Sequence, residues 1–530
     1  MAMCNHSNRS FLQSAFSPLG ILLLTAFIIL AVYNSFLCDD AFITFRYATN
    51  LVSSDGPVFN PGERVEGYTN FLWMIIMAAV IKLGMAPEVC SRIISILMAA
   101  GLIALFICSN ASRYEGKLAV YLFPAFLSFS APFFIWSTGG LETAAFAFFV
   151  FTGILSLRTA GQKNDKRYSL VSSLLFVAAA LSRPEGVMFI TLAVLYFVIL
   201  TVKRRISFQT TIIFIVPLLL LYGLYFCWRW NYYGMLLPNT YYIKDPGLHL
   251  LGYGLRYYLQ FIINSSLWLP LALVSYRLIW AKGKVIGDFE KFLLVVIICY
   301  SLYVIYTGGD FMAGSRFLMP LVPILYLFFQ NLIYPDVRLS HSVRGLTVVA
   351  ALLLVFVVMN FYVTLHARKP WYSGGIDSIG ILTDYTDKWT DVGEVIRQNS
   401  LPTDTIAVTA AGIIPYYTQL HTIDILGLIA PDVTEYRVRP GPRRPGHSVS
   451  IKPEYFFRLK PQFVIGHPRI QHDEPLQLPH ATMRESKDLL FKFYSAVGLE
   501  LPNHPGTYVN FWLRRDVVPR IRQNLKIYTK

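Results

Sequence analysis

Long apolar runs alternate with short polar stretches along residues 1–366. A helix needs about 20 mostly apolar residues to cross a bilayer. The pattern predicts about eleven such helices, at 19–37, 92–109, 118–136, 143–157, 170–181, 187–202, 211–228, 267–280, 292–306, 317–334 and 346–366. Several of these runs are short, which favours helices that are tilted, broken or shielded by their neighbours.

Lys and Arg are concentrated in the loops that join these runs, at 109–117, 158–167, 203–205, 281–291 and 337–344. Cytoplasmic loops carry such an excess, so these loops and the N-terminus are predicted to lie inside. The apolar run 71–83 is too short to cross, and a crossing there would move every later basic loop outside. We therefore predict a helix along the outer membrane surface at 71–83. The first run lacks a convincing cleavage site and is expected to remain as an anchor.

Residues 367–530 are more polar and are predicted to form an extracytoplasmic soluble α/β domain. Residues 389–398 have helical periodicity, with Asp391 near the start. Residues 404–412, 421–428 and 461–467 are β-rich runs separated by turn residues. The segment 434–451 is basic and rich in Pro and Gly, which suits either a flexible surface loop or a clamp for an anionic acceptor. The predicted fold class is a polytopic α-helical membrane protein with a C-terminal α/β domain.

Composition supports the membrane class, because 55% of the residues are hydrophobic and 15% are charged. The formal net charge of +15 follows from the loop pattern, so it indicates topology and affinity for anionic headgroups, with no nucleic-acid partner. The six cysteines lack metal-ligand spacing, and none follows Cys299. A Cys38–Cys90 bridge is conceivable, but buried, inert thiols are the favoured state.

Two adjacent carboxylates, Asp39 and Asp40, directly follow the first predicted span. They open the first outer loop, 38–91, whose residues 38–73 mix charged and polar side chains with turn-forming Gly and Pro. An ordinary connector would be shorter and less varied, so this loop is predicted to fold on the membrane surface. The alternative is an ordinary solvated loop.

Further ionisable and polar side chains lie in the predicted outer connections. Together they are Arg46, Glu63, Arg64, Glu66, Tyr68, Asn70, Glu142, Arg183, Glu185, Asn239, Tyr241, Tyr242, Lys244, Asp310 and Arg316. Ionisable groups near a membrane are costly and usually face a protein cavity. Each has a structural alternative: Arg183 and Glu185 as a helix-end ion pair, Glu142 as a helix N-terminal charge, Asp310 as a turn residue.

Outer carboxylates beside fixed cations and aromatic rings suit sugar transfer from a lipid-linked donor. A carboxylate removes the proton of an acceptor hydroxyl as it attacks the anomeric carbon. Arg or Lys holds the lipid phosphate, whose charge grows as it leaves. Phosphate is a good leaving group, so no general acid is required.

The first-loop run DDAFITFRYATNLVSSDGPVFNPGERVEGYTNFLW resembles the corresponding loop of bacterial GT-C membrane glycosyltransferases, and most closely that of the mycobacterial terminal arabinofuranosyltransferase group. The likeness extends through STGGLET, SRPEG, PNTYYIK and GGDFMAGSRF to IDILGLIAPD. It implies a polyprenyl-phosphate sugar donor, inverting transfer outside the bacterial cytoplasmic membrane, and a cell-envelope glycan or glycolipid acceptor. It also implies a base in the first loop, at Asp39 or Asp40, and a second acidic residue at Glu142.

Side chains of adjacent residues diverge, so the two aspartates are expected to do different work. We predict Asp39 as the base and Asp40 as the group that orients a sugar hydroxyl or a divalent ion. The candidates for binding the donor phosphate are Arg46, Arg183, Lys244 and Arg316. No cofactor is required by the sequence, and a divalent cation at these carboxylates is left open. The C-terminal domain is expected to bind the acceptor.

Two other classes compete with the transferase. A transporter would carry polar groups within its spans and often repeats its halves, whereas here the polar groups cluster in outer loops and no internal repeat is evident. A non-catalytic envelope-assembly protein would keep the fold without turnover. The intact Asp pair argues against the latter.

Overall fold

The computed structural model describes most of the helical half and much of the polar C-terminal region. The described residues are 14–114, 117–244, 246–280, 286–333, 343–373, 376–431, 437–438, 446, 449–471, 487–521 and 525–528. Most of the basic loop 434–451 lies outside them. So do parts of the predicted inner loops 109–117, 281–291 and 337–344.

The helical half ends at Ala367. Its helices are α1 Pro18–Tyr33, α2 Asp39–Val52, α3 Phe71–Lys82, α4 Pro87–Ala111, α5 Lys117–Ser128, α6 Ala131–Ile135, α7 Thr143–Lys163, α8 Lys166–Ser182, α9 Gly186–Val202, α10 Phe208–Tyr233, α11 Asn239–Lys244, α12 Leu251–Asn264, α13 Trp268–Trp280, α14 Asp288–Tyr306, α15 Leu321–Ile333 and α16 Val343–Ala367. Helix α10 contains a π-helical turn at Leu218–Tyr222.

Among the described residues, five helical segments are long and apolar enough to cross a membrane: α4, α7, α10, α14 and the part of α16 at Thr347–Ala367. Helices α1, α3, α9 and α15 are apolar but shorter. Each of the eleven predicted spans falls on a helix, although 118–136 is divided between α5 and α6. The run 71–83 is the short helix α3.

Helices α2 and α12 were not predicted from the apolar runs. Helix α2 contains Asp, Arg, Thr and Asn, yet most of its residues are buried, so a search for apolar runs does not detect it. Helix α12 buries one stripe at Gly254, Tyr257 and Phe261 and leaves the rest more open. This spacing of three and four residues is that of an amphipathic helix, which a search for uniform apolar runs passes over.

The α/β domain follows α16 and is built on one six-stranded sheet in the order β10-β8-β9-β7-β3-β4. The strands of this domain are β1 Tyr372–Ser373, β2 Ile376–Asp377, β3 Thr405–Val408, β4 His421–Asp424, β5 Arg437–Val438, β6 Ser450–Ile451, β7 Phe463–Gln471, β8 Tyr494–Leu501, β9 His504–Arg514 and β10 Leu525–Tyr528. The three predicted β-rich runs are confirmed as β3, β4 and β7, which are mutually parallel.

The domain's helices are α17 Ile379–Gln398, α18 Ile413–Thr418, α19 Pro453–Leu459 and α20 Lys487–Phe493. Helix α17 begins ten residues before the predicted start at 389, with Ser378 as its N-cap. Gly380 and Thr383 lower helix propensity in this first half, which explains the late prediction. Asp391 is therefore mid-helix and buried, and it accepts a hydrogen bond from Asn503 (2.7 Å). The predicted fold class is confirmed.

Arg46 joins the first loop to the α/β domain. Its Nε donates to the carbonyl of Phe59 (2.9 Å) and Nη2 to the carbonyl of Leu420 (2.7 Å). Nη1 donates to the carbonyl of Pro415. All three donors point at buried main-chain oxygens, so this guanidinium supports the domain contact.

Two asparagines extend the same contact. The side chain of Asn60 exchanges two hydrogen bonds with the main chain of Thr422 (2.9 and 3.0 Å). The amide of Asn239 donates to the carbonyls of Gly427 (2.9 Å) and Leu428 (2.7 Å). The loops of the helical half thus pair directly with the backbone of β4 and of the segment that follows it.

We expect Arg46→Met to destabilise the protein by roughly 3 kcal/mol or more, because three buried carbonyls lose a charged donor. Thermal unfolding of the purified protein in detergent measures this as a lower melting temperature. Arg64→Met is the matched control, since Arg64 is exposed and packs over Tyr232. Equal melting temperatures for the two variants would contradict the structural role of Arg46.

Candidate active site

A cavity of about 750 Å³ lies between the helical half and the α/β domain. The helical half contributes Asp39, Asp40, Ile43, Thr44, Gly67, Tyr68, Thr69, Asn70, Leu141, Glu142, Arg183, Thr240, Ile243, Lys244, Phe311, Met312, Arg316 and Phe317. The α/β domain contributes Tyr372, Asp377, Ile381, Leu382, Tyr385, Trp389, Thr409, Ala410, Ala411, Asp424, Leu426, Leu428, Gly446 and His467. The carboxyl ends of the parallel strands β3 and β4 face this cavity, which is where α/β sheets usually bind ligands.

Asp39 is fixed by the backbone of the α/β domain. The N–H of Ile413 donates to Oδ1 (2.7 Å) and the N–H of Gly412 donates to Oδ2 (3.1 Å). The approach is so close that a Cβ on Gly412 would lie 1.9 Å from the carbonyl oxygen of Asp39. Glycine is therefore required at 412 by contact with the first loop.

Burial raises the pKa of Asp39 to about 7, and the two backbone hydrogen bonds limit the rise. The charges of Asp40 and Asp424 push it upward as well. A carboxylate that titrates near neutrality is a stronger base than one with an ordinary pKa. Asp39 thus combines a fixed orientation with basicity suited to proton abstraction.

Asp40 faces a different set of partners. Its Oδ2 lies 3.6 Å from Nη1 of Arg316, whose Nε donates to Oδ2 of Asp310 (2.6 Å). Burial raises the pKa of Asp40, while Arg316 and Lys244 oppose the rise. Lys244 lies on the cavity wall with its surface open to the cavity, and the surrounding protein atoms lower its pKa because they displace water from the ammonium group. Asp40 therefore lies beside the cations Arg316 and Lys244, whereas Asp39 is part of the contact between the helical half and the α/β domain.

A second ionic cluster lines the cavity beside Asp40. Arg183 bonds Oε1 of Glu142 through Nη1 (2.8 Å) and Oε1 of Glu185 through Nη2 (2.7 Å). Asn70 donates to Oε2 of Glu142 (2.8 Å) and to Thr44 Oγ1 (3.0 Å). Arg183, Glu142 and Asn70 reach the cavity, and Glu185 supports Arg183 from behind. The helix-end pairing that the sequence left open for Arg183 and Glu185 is found here.

Several predicted site residues do not line the cavity. Arg46 and Asn239 hold the domain contact, and Glu66 forms a buried ion pair with Arg229 (2.7 Å). Tyr241 is largely exposed and packs against Tyr242. Sequence position groups these residues with the others because they share outer loops, but their side chains stabilise those loops. We therefore remove Arg46 from the candidate phosphate ligands.

Two more predicted residues have intermediate positions. Tyr68 lines the cavity and its hydroxyl lies 3.1 Å from that of Tyr233. Asp310 is buried behind Arg316 and fixes its guanidinium.

Sequence reasoning missed the part of the site that the α/β domain supplies. Asp424 ends strand β4, and its two carboxylate oxygens accept the N–H groups of Leu426 (2.8 Å) and Leu428 (2.7 Å). Burial raises its pKa to about 6. The signal was present in IDILGL, since a carboxylate at the end of a buried parallel strand faces the ligand edge of the sheet.

Within the described residues, no group of three or more His, Cys, Asp or Glu side chains is arranged to hold a metal ion. The divalent cation that the sequence left open stays a prediction.

Comparison with solved structures identifies the fold. ArnT from Cupriavidus metallidurans bound to undecaprenyl phosphate aligns with 94% of this chain and 98% of its own, with a TM-score of 0.58 and 12% identity. The apo form of ArnT aligns with 95% and 99% of the two chains, with a TM-score of 0.53 and 11% identity. The chain has the GT-C fold. The expected GT-C architecture is therefore confirmed.

Two curated relatives are similar in sequence, and both are named terminal β-(1→2)-arabinofuranosyltransferase. The protein from Corynebacterium glutamicum is 25% identical over 414 residues, which cover 70% of this chain and 59% of the relative. The protein from Mycobacterium tuberculosis is 26% identical over 328 residues, which cover 54% and 51%. The matches thus span little more than half the length of either relative. Residues 380–512 also match a family model described as a domain of unknown function (DUF8728).

We expect Gly412→Ala to lower the stability of the domain contact by about 1–3 kcal/mol, because the added methyl overlaps the backbone of Asp39. Gly252→Ala in helix α12 is the control, since a Cβ there meets no atom within 4 Å. The control should melt at the same or a higher temperature, as Ala favours helix over Gly. Melting curves of both variants test this, and an unshifted Gly412→Ala would refute the tight approach.

Proposed function

We propose that this protein transfers a sugar, with arabinofuranose as the first candidate, from a polyprenyl-phosphate donor to a hydroxyl of a cell-envelope glycan or glycolipid. Transfer takes place at the outer face of the bacterial cytoplasmic membrane, with the α/β domain extracytoplasmic. The observation that carries the proposal is the cavity at the end of the membrane helices, in which Asp39 and Asp40 lie beside Arg183, Lys244 and Arg316.

The cations support a phosphate-bearing donor. Arg183 and Arg316 are held by buried ion pairs, so their positions are fixed before a ligand arrives. Lys244 is exposed on the same wall and can move towards a phosphate. The shared fold with ArnT, solved with undecaprenyl phosphate, supports a polyprenyl phosphate as the lipid part of the donor. The names of the two sequence relatives support arabinofuranose as the sugar.

The chemical step is a direct displacement. Asp39 takes the proton of the acceptor hydroxyl while the oxygen bonds to the anomeric carbon of the donor. The bond from that carbon to the phosphate oxygen breaks, and the electron pair leaves with the polyprenyl phosphate. Displacement from the opposite side inverts the anomeric configuration. Arg316 and Lys244 stabilise the charge that grows on the phosphate.

The different partners of the two aspartates support different roles. Asp39 is oriented by two backbone N–H groups and has a pKa near neutrality, which favours it as the base. Asp40 lies against Arg316 and is better suited to orient the donor side of the site. The order of roles predicted from the sequence is kept on these grounds.

Asp39→Asn should reduce transfer by about 10²–10⁴-fold, because the amide cannot accept the proton. The measurement is transfer by purified protein in nanodiscs, with polyprenyl-phosphate arabinofuranose and an arabinofuranose oligosaccharide. Asp55→Asn, in an exposed part of the same loop, should keep full activity. Loss of transfer in Asp40→Asn with activity retained in Asp39→Asn would reverse the assignment.

The pH profile gives a second test of the base. Asp39 must be deprotonated to act, so kcat/KM should fall about tenfold per pH unit below its pKa of about 7 and level off above it. The wild-type profile is measured from pH 5 to 9 in one mixed buffer of constant ionic strength. A rate that stays level down to pH 5 would count against Asp39 as the base.

Lys244→Met should raise the KM for the donor by roughly 10- to 100-fold, as expected for loss of one charge-assisted hydrogen bond to phosphate. The acceptor KM should stay unchanged. Lys388→Met is the control, because Lys388 pairs with Asp384 on the surface of α17, away from the cavity lining. An unchanged donor KM in Lys244→Met would remove this lysine from the phosphate site.

A further inference from the structure

The two walls of the cavity differ in charge. The helical wall carries three cations, Arg183, Lys244 and Arg316, together with the carboxylates Asp39, Asp40 and Glu142. Among the described lining residues of the α/β domain there is neither Lys nor Arg, and the ionisable groups are Asp377, Asp424 and His467. Among the described lining residues, an anionic ligand group therefore finds Lys or Arg partners on the helical wall, while the α/β wall offers it two carboxylates.

Aromatic rings form the centre of the α/β wall. Tyr385 and Trp389 lie one turn apart on α17 and stack with 4.3 Å between ring centroids and 12° between planes. His467, from β7, meets both rings edge-on at 5.6 and 5.3 Å. The His467 ring is nearly equidistant from the two stacked rings. It therefore lies beside the stack and does not cover the outer face of either ring. Trp389 is buried and holds the half-buried Tyr385 in place.

Hydrogen-bonding groups flank this stack. Asp424 is fixed by two backbone N–H groups and still lines the cavity. Thr409 and Asp377 line it as well, and the backbone of Asp377 is held to that of Phe311 (2.8 Å) and Ala313 (2.9 Å). Carboxylates that accept from hydroxyls, beside aromatic rings that pack on C–H faces, match an uncharged sugar ring.

We propose that this wall, formed by Tyr385, Trp389, Asp424 and His467, is the subsite for the acceptor and binds an uncharged sugar residue. This rests on the proposed function and adds the class of acceptor and its position. The loop after β3 lines the subsite and continues to Gly412, which bonds Asp39. An acceptor hydroxyl bound here is next to the base, while the donor phosphate is held on the opposite wall.

The first test is steady-state kinetics of the full-length protein in nanodiscs, with a synthetic arabinofuranose disaccharide glycoside as acceptor. Tyr385→Ala and His467→Ala should each raise the acceptor KM by roughly tenfold and leave the donor KM unchanged. Phe493→Ala, an exposed aromatic residue of the same domain outside the cavity lining, should change neither. Unchanged acceptor KM values in both subsite variants would overturn the proposal.

The second test does not depend on turnover. Calorimetry without donor measures binding of the disaccharide glycoside and of arabinose 5-phosphate to the wild type and the same variants. Binding of the neutral sugar that weakens in Tyr385→Ala and His467→Ala supports the subsite, even if no donor is consumed and the transferase proposal fails. No binding of the neutral sugar, equal binding by the variants, or preference for the phosphorylated sugar would overturn it.

Asp424→Asn tests the charge of the wall with little change in side-chain size. The amide oxygen can accept from only one of the N–H groups of Leu426 and Leu428, so the melting temperature of the variant is measured as well. In a folded variant the negative charge of the wall is lowered, so discrimination against arabinose 5-phosphate should weaken in calorimetry. Unaltered discrimination would show that the charge of this wall does not select the acceptor.

Discussion

The bond between Asp39 and the backbone of Gly412 and Ile413 is the contact on which the site depends. It joins residues separated by more than 370 positions in the chain. Asp39 is a half-buried carboxylate at the start of helix α2, and such a group needs donors to offset its lost hydration. Here the α/β domain supplies them, so the catalytic candidate is complete only when both halves are docked. Arg46 and Asn60 secure the same docking with side chains that face away from the cavity.

Arginines in the outer loops have two different roles, one structural and one in the cavity. Arg46 and Arg229 satisfy partners of the first loop, whereas Arg183 and Arg316 reach the cavity while held by Glu142, Glu185 and Asp310. A buried arginine needs such partners because an isolated charge is too costly. The carboxylates near the site therefore include structural counter-ions as well as candidates for chemistry.

Much of the fold could be predicted, because apolar run length and strand patterning act locally. The eleven apolar runs and strands β3, β4 and β7 are all recovered. Helix α2 was hidden because partners in the first loop and in the distant α/β domain bury its polar residues: Asn50 bonds Phe59, whereas Arg46 also bonds Leu420. For the same reason the sequence pointed to Asp39, Asp40, Glu142 and Lys244 but not to Asp424 or His467. Their place in the cavity results from docking, which no local pattern encodes.

The close approach at Gly412 also limits which sequence changes the helical half and the α/β domain can accept. A side chain at 412 would press on Asp39, although residue 412 belongs to a region that matches a domain family model on its own. The α/β domain therefore cannot be exchanged freely for the domain of a relative. A grafted domain must have a backbone that fits the first loop to within a fraction of an ångström. Changes in loop 409–412 and at the start of helix α2 are expected to be accepted only as matched pairs.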